Sequence, residues 1–518
     1  MKKALLLLFC LCLAGGWLFY GADDAINSRK NRVYIEENVL YGDTEGLEGF
    51  EVAMLTDIQR IGWKTRFTPG KCNEAESEFF FHSGSIPQTP NNMEGTGRID
   101  LGFVRNFGMS SPQIDLDSTE LYGMNELFKD VASRTPSGEQ RTESLLLSEY
   151  FEYYPINADI SLGRFYYNTM EGYTQAKAQE MDEAEFYKTA ADLEKFFKIP
   201  VEKEHRVTVS VIKNSAGEVV SLDLSDYYMP DSDDIDADTA YTGNDYNIYC
   251  ACADSGQALY FTFIADGWVP DTSLIPGGTG IYRLGYSLRE DGSLDIHSDK
   301  LTNIYPLRQG VEVRYLGLNE DNSEILMASV EKKRGVDPSV VLEEGGAADG
   351  GENAFYFTVL NIEGEEKQKL EAFNGEGDKL YARNVYNYED FIVFDIGRVP
   401  GEDYGREVAS LVLFEKTSSG RYERKLSTEG FLESGGLDEK NVYYDYNSSF
   451  AWDGQTLIAV SEMPTYDFYN RDYFHVTAYN SLGLRFYGEY VSSVRGYLFR
   501  SGSFYVDVER GVGVIPVL

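Results

Sequence analysis

Short runs of alternating apolar and polar residues recur along the chain, and they come in pairs separated by turn residues. In residues 246–266, for example, an aromatic run turns at Asp254-Ser255-Gly256. A period of two is typical of strands, and Asp, Asn and Gly supply the backbone angles that close a hairpin. The pattern predicts hairpins over 50–67, 246–266, 281–296, 311–330, 355–370, 380–396, 408–426, 442–460, 474–490 and 497–508.

The hairpins themselves repeat in pairs. Successive first hairpins begin near residues 246, 311, 378, 441 and 495, so one repeat holds two hairpins, or four strands. The hairpin at 497–508 has no partner after it, and the hairpin at 50–67 has none before it. We expect these two to complete one four-stranded unit, which would leave no exposed sheet edge. A further unit is predicted from 79–104 together with 207–224.

In these residues, from about 47 to 518, the chain resembles members of the β-propeller superfamily. The resemblance implies an all-β fold, a β-propeller of about six or seven four-stranded blades closed by pairing of the N- and C-terminal hairpins. It implies no activity, because propellers include binding proteins and enzymes. A stack of β-sandwiches is the alternative fold, since it also has regularly spaced turns.

The composition limits the class of protein and its partners. With 42% apolar and 14% aromatic residues the chain can bury a large core, and most of its 38 Tyr and 30 Phe are expected to pack between sheets. A net charge of −39 repels nucleic acid and anionic membrane surfaces. The alternative interpretation of this charge is an acidic surface that only keeps the protein soluble.

The N-terminus predicts export. Lys2 and Lys3 precede an uncharged run over 4–22, and Asp23-Asp24 follow. We therefore expect a signal-anchor or signal peptide over 1–22, a linker over 23–46 and the propeller over 47–518. The protein is expected to be extracytoplasmic, anchored to the cell membrane by this segment, or secreted if the segment is cleaved. Its expected partner is an envelope protein or a polysaccharide.

Long connections indicate where binding takes place. The turns inside the predicted hairpins are short, whereas the segments that join the two hairpins of a unit are long and hold aromatic and charged residues. The longest interruption, 108–206, is predicted to be an insertion or cap with a helix over 179–198. The candidate ligand-binding residues on the long connections are Trp268, Asp271, Tyr404, Tyr466, Tyr469, Arg471 and Asp472.

One acidic segment matches part of a calcium-binding loop. Asp234, Asp236, Asp238 and Asp245 occupy positions 1, 3, 5 and 12, and oxygen ligands at alternate positions suit Ca²⁺. Thr239 stands where such a loop needs glycine, so a solvated acidic loop is the alternative. No other cofactor is expected.

No catalytic motif accompanies these features. The chain has no Gly-x-Ser-x-Gly, no His-Glu-x-x-His and no Cys-x-x-Cys, and its four histidines are scattered. Cys72, Cys250 and Cys252 are expected either to be small buried residues or to include a disulfide. The sequence favours a non-catalytic binding or scaffolding protein. An extracellular glycan-active enzyme with a carboxylate pair is the alternative.

Overall fold

The structure is a computed structural model. It describes residues 15–21, 32–47, 49–58, 61–81, 96–103, 109–110, 114–118, 121, 123–153, 156–163, 167–169, 172–174, 179–180, 183–196, 198, 201, 203, 205–225, 247–265, 278–291, 293–308, 311–332, 352–376, 379–399, 408–428, 448–462, 473–493 and 503–508. Statements about structure below concern these residues.

The prediction of an all-β fold is confirmed: the described residues form several antiparallel sheets and few helices. The longer helices are α1 (Asn125–Arg134) and α2 (Glu183–Phe196). The chain divides into two compact units. Unit 1 comprises residues 1–93, 165–176 and 382–518, and unit 2 comprises 94–164 and 177–381.

Unit 1 contains three sheets and one small hairpin. In hydrogen-bonded order, sheet I consists of β1 (Ile35–Gly42), β30 (Gly483–Ser492), β29 (Tyr473–Asn480), β28 (Leu457–Glu462) and β27 (Ser448–Trp452). Sheet II consists of β31 (Ser503–Val508), β2 (Phe50–Ile58), β3 (Ile61–Phe67) and β4 (Glu76–Phe81). Sheet III consists of β23 (Lys379–Asn387), β24 (Phe391–Val399), β25 (Val408–Lys416) and β26 (Tyr422–Ser427). The small hairpin is formed by β9 (Tyr167–Thr169) and β10 (Gly172–Thr174).

Unit 2 also contains three sheets. The strands of sheet IV are β11 (Gln179–Glu180), β8 (Ile156–Gly163), β5 (Thr96–Phe103), β14 (Asn247–Asp254), β15 (Ala258–Ala265), β16 (Gly280–Leu288), β17 (Leu294–Ile296) and β18 (Thr302–Pro306). Those of sheet V are β19 (Val311–Leu318), β20 (Glu324–Lys332), β21 (Glu352–Asn361) and β22 (Glu366–Glu376). Those of sheet VI are β6 (Met109–Ser110), β13 (Val219–Ser225), β12 (Arg206–Lys213) and β7 (Gln140–Leu146).

Strand β31, from the predicted C-terminal hairpin, lies beside the predicted N-terminal hairpin in sheet II, but the sheet holds three N-terminal strands and one described C-terminal strand instead of the two hairpins that the sequence predicted. Strand β31 pairs with β2 from Phe50↔Val508 to Leu55↔Ser503. Strands β2 and β3 form the predicted hairpin at 50–67, and β4 extends it. The terminal segments therefore share one four-stranded sheet.

The further unit predicted from 79–104 and 207–224 is wrong. The first of these ranges ends in sheet IV, where β5 pairs with β8 and β14. The second forms the β12–β13 hairpin of sheet VI, which pairs with β7 and β6. Strand β7 (QRTESLL) lacks apolar alternation, so no strand was predicted there as a partner for β12.

Both helices of the segment 108–206 pack into the main core of unit 2, whereas its residues 165–176 belong to unit 1. Leu127, Phe128 and Val131 of α1 and Leu193 of α2 lie in one buried cluster with Phe261 of sheet IV. The helix predicted over 179–198 is observed as α2, and strand β1 lies inside the range predicted as linker. No described helix is long and apolar enough to cross a membrane.

Glu185 attaches α2 to sheet IV. Its side chain is 3% exposed and accepts hydrogen bonds from the Ile296 backbone N–H (2.9 Å), Arg289 Nη2 (2.7 Å) and Lys188 Nζ (3.0 Å). Replacing this carboxylate leaves a buried N–H without an acceptor.

The Glu185→Ala variant is therefore expected to lose about 2 kcal/mol of unfolding free energy. Glu185→Gln, which keeps an acceptor for Ile296, should lose less. Urea denaturation checks both values. Glu126→Ala is the matched control, because Glu126 makes a similar i,i+3 pair with Lys129 but is exposed, and should cost under about 0.5 kcal/mol. Equal losses at Glu185 and Glu126 would contradict this role.

Candidate functional site

The residues predicted from the sequence to bind ligands lie outside the described ranges. Trp268 and Asp271 fall in 266–277, Tyr404 in 400–407, and Tyr466, Tyr469, Arg471 and Asp472 in 463–472. The predicted calcium ligands Asp234, Asp236, Asp238 and Asp245 fall in 226–246. These assignments stay predictions. The structure does define the strands from which the connections leave.

Four sheets have one end with short turns and one end with a long connection. In sheets I, III, IV and V the second strand leads to the third through a long segment: β28 to β29, β24 to β25, β15 to β16, and β20 to β21. In each of these sheets the turn from the first to the second strand and the turn from the third to the fourth are short. Because neighbouring strands are antiparallel, the long segment lies at the opposite end of each sheet from its two short turns. We call this end the long-connection end.

A row of polar residues crosses sheet I near its long-connection end. The strand registers place Ser448 opposite Ser461, Ser461 opposite His475, His475 opposite Glu489, and Glu489 opposite Asn38. Directly opposed residues of antiparallel strands share a face. The polar row, defined as Ser461, His475, Glu489 and Asn38, therefore lies on one face of the sheet.

That face packs against sheet III. Leu457 and Ala459, which precede Ser461 on the same face of β28, share a buried cluster with Phe391 and Val393 of β24. Two hydrogen bonds join the short-turn ends of the two sheets: Phe450 N–H donates to Tyr388 Oη (3.0 Å), and Trp452 Nε1 donates to Glu415 Oε1 (3.0 Å). The long-connection ends of sheets I and III consequently lie on the same side of unit 1.

His475 lies in the polar row between Ser461 and Glu489 and is 5% exposed. The Tyr487 hydroxyl lies 3.3 Å from its Nδ1 and 3.4 Å from its Nε2, and Glu489 Oε2 lies 3.9 Å from Nε2. Burial lowers the pKa of His475 to about 4. The imidazole is thus neutral at pH 7, with one nitrogen that donates and one that accepts.

Sheet III contributes a buried acid on its facing surface. Asp395 follows Phe391 and Val393 on the same face of β24, is 1% exposed, and has Oδ2 3.8 Å from Arg383 Nε. An arginine partner suits a buried carboxylate, because the guanidinium keeps its charge. The facing surfaces of sheets I and III are therefore apolar near the short turns and polar near the strand ends that lead into the connections 400–407 and 463–472.

A shorter row of three polar residues occurs in unit 2, in sheet V, where it ends at Val313 opposite Ser329. There Ser329 lies opposite Tyr356, and Tyr356 opposite Glu371. The third strands share a pattern, Phe-x-x-Thr-x-x-Asn-x-x-Gly, at 355–364 and 474–483. In both copies the Asn Oδ1 accepts the backbone N–H two residues on, at 3.0 Å from Glu363 and 2.9 Å from Leu482. The four shared residues are architectural, and among the six positions that differ, His475 stands where sheet V has Tyr356.

The chemistry available at the polar row is hydrogen bonding. Ser461, His475 and Glu489 follow one another in the order nucleophile, base and acid. However, Ser461 is 2% exposed and the imidazole faces Tyr487, so the arrangement does not present an activated hydroxyl to a substrate. Among the described residues no group of three His, Cys, Asp or Glu is placed to hold a metal. Cys72 has a free thiol whose pKa burial and Glu37 raise to about 12, so it is not a nucleophile.

Comparisons with known proteins add no function. No family model matches the chain, and no curated protein matches it. Solved structures with distant similarity include a hypothetical selenium-binding protein from Sulfolobus tokodaii, with 8% identity, a TM-score of 0.27, and coverage of 89% of this chain and 94% of that one. An oligogalacturonate lyase in complex with manganese has 10% identity and a TM-score of 0.27, with coverage of 89% of this chain and 98% of that one. A Synechocystis apocarotenoid oxygenase mutant has 9% identity and a TM-score of 0.25, with coverage of 92% of this chain and 96% of that one. At these TM-scores none of the three supports an argument about this chain.

Proposed function

We propose that this chain is an extracytoplasmic, membrane-tethered β-propeller of about six or seven blades that binds an envelope protein or polysaccharide and has no catalytic role. The observation behind the proposal is that sheets I, III, IV and V each place their long connection at one end and their short turns at the other. Loops on a rigid sheet are where binding residues usually occur.

The polar row strengthens this proposal for unit 1. The connection 463–472 begins two residues after Ser461 and ends three residues before His475, and it contains four of the seven candidate ligand residues. The hydrogen-bonding groups of the row, which include the Glu489 carboxylate, together with Asp395 of the facing sheet, suit recognition of polar partners. The alternative of a glycan-active enzyme with a carboxylate pair stays open to the experiment below.

Replacing 463–472 with a short Asn-Gly turn is expected to weaken binding to purified cell envelopes at least tenfold, since the candidate ligand residues are removed while strands β28 and β29 stay joined. Retention of fluorescently labelled protein on peptidoglycan sacculi, and separately on salt-extracted envelope proteins, measures the effect and distinguishes polymer from protein.

The matched control replaces Ser481-Leu482, the short turn between β29 and β30, with Asn-Gly and should bind as the unaltered protein does. Circular dichroism establishes that both variants fold. Equal binding by all three proteins, or none by the unaltered protein, would refute the proposal. Release of reducing ends from any polysaccharide would support the enzyme instead.

A further inference from the structure

Three hairpin turns contain an asparagine whose side chain binds both the turn backbone and a glutamate. In each turn the asparagine Oδ1 accepts two backbone N–H groups, and the amide nitrogen donates to the carboxylate. The pairs are Asn319–Glu324 (3.2 Å), Asn361–Glu365 (2.9 Å) and Asn214–Glu218 (2.8 Å). Within the described ranges, only the first pair also binds a lysine: Lys367 Nζ donates to Glu324 Oε1 at 2.9 Å.

The first pair also differs from the others in burial. Asn319 and Glu324, at the turn between β19 and β20 of sheet V, are 5% and 8% exposed, whereas the glutamates of the other two pairs are exposed. The Asn319 Oδ1 accepts the backbone N–H groups of Ser323 and Glu324, both at 2.9 Å. These two donors polarise the side-chain carbonyl in the way that an oxyanion hole does. One buried carboxylate therefore holds an amine beside a polarised carboxamide.

We propose that Lys367 and Asn319 become joined by an intramolecular amide bond. Glu324 takes a proton from the lysine ammonium, and the neutral Nζ attacks Asn319 Cγ while the two backbone N–H groups stabilise the negative charge on Oδ1. The new bond is Nζ–Cγ and the bond that breaks is Cγ–Nδ2. Glu324 relays the two protons that Nζ loses to the departing nitrogen, which leaves as ammonium. Nothing is oxidised or reduced.

The position of Lys367 explains why the reaction is slow and what it achieves. Its side chain is 48% exposed, which leaves Nζ free to move from Glu324 Oε1 toward Asn319 Cγ, to the roughly 3–3.5 Å at which an attack begins. Because only the neutral amine attacks, the bond should form faster at pH 9 than at pH 7. It would join the turn between β19 and β20 to β22, and so hold sheet V together covalently at its short-turn end. The inference is independent of the binding proposed for the long-connection ends.

Tryptic peptide mapping of the full chain, after incubation at pH 7 and at pH 9, tests the proposal. Trypsin cuts after Arg314, Lys332 and Arg334 but not after an acylated lysine. The linked product is therefore residues 315–332 joined to residues 335–369, lighter than the two separate peptides by one ammonia. We expect this product at both pH values, with the larger yield at pH 9. Its absence at both would overturn the proposal.

Three variants test the roles of the residues. Lys367→Arg keeps the charge beside Glu324 and should give no linked product. Glu324→Gln keeps an acceptor for the Asn319 amide but not the base, and should give at least about tenfold less. Lys369→Arg is the matched control, because Lys369 pairs with Glu331 of the same sheet, and should link as the unaltered chain does.

Circular dichroism establishes that the three variants fold. The asparagines of the other two turns are internal controls and should stay unlinked, since neither of their glutamates pairs with a lysine in the described part of the chain. Equal linkage in Glu324→Gln and the unaltered chain would contradict the role of the buried carboxylate. A linkage at Asn361 or Asn214 instead of Asn319 would contradict the proposed site.

Discussion

Replacing His475 with tyrosine is expected to flatten the pH dependence of unfolding free energy between pH 6.5 and 4. Burial lowers the pKa of this histidine from 6.5 to about 4, so the unfolded chain binds the proton more tightly than the folded chain. The stability contributed by the neutral imidazole is complete above pH 6.5 and is lost as the pH falls through 4. At about 1.4 kcal/mol per pKa unit, the loss approaches about 3 kcal/mol below pH 4.

Tyrosine is the natural substitute because sheet V has Tyr356 at the equivalent position of its row. Urea unfolding of both proteins at pH 7, 6, 5 and 4 gives the comparison. The relevant quantity is the difference between them, since 85 acidic residues titrate in both. Leu482→Ala, which changes no titratable group at an exposed turn position, is the control and should retain the slope of the unaltered protein. If the tyrosine variant does not fold, His475→Phe replaces it in the comparison, because it also removes the imidazole. Parallel curves for His475→Tyr and the unaltered protein would contradict the prediction.

The sequence predicted local strand pairing well and distant pairing poorly. Residues 311–330 and 355–370 form the two hairpins of sheet V, because alternation and a tight turn are both encoded within about 20 residues. The pairing of β5 with β8 and β14 joins segments far apart in the chain. Nothing in the composition of one strand specifies such a partner, so the unit predicted from 79–104 and 207–224 was wrong.

The polar row was also missed, for a related reason. A serine or histidine within an apolar strand is read from sequence as a position facing solvent. Only the register, which the turn and the bulge between Ala478 and Tyr479 set, brings Ser461, His475 and Glu489 side by side. One signal was available, however. The pattern shared by 355–364 and 474–483 marks two equivalent third strands, and the departure at His475 is visible on alignment.

Removing residues 503–518 is expected to destabilise unit 1 by at least about 3 kcal/mol, since it takes away a strand paired at six positions with β2. Strand β2 places Phe50, Val52 and Met54 in a buried cluster with Ile458 and Val460 of sheet I, so exposing its edge affects more than sheet II. Thermal unfolding and proteolytic sensitivity within 50–81 measure the loss.

Removal of 509–518 alone is the matched control, because it leaves β31 in place, and the loss due to β31 is the difference between the two shortened chains. If the shorter chain does not accumulate, the full chain can carry a protease site inserted within 494–502. The folded protein is then cut at that site, and the same measurements are made on the cleaved protein. The cleaved β31 should then remain bound until denaturant is added. A chain ending at 502 that unfolds at the temperature of the full chain would show that β31 contributes nothing to sheet II. The structure argues otherwise, because β31 is the only described strand that pairs with that edge of β2.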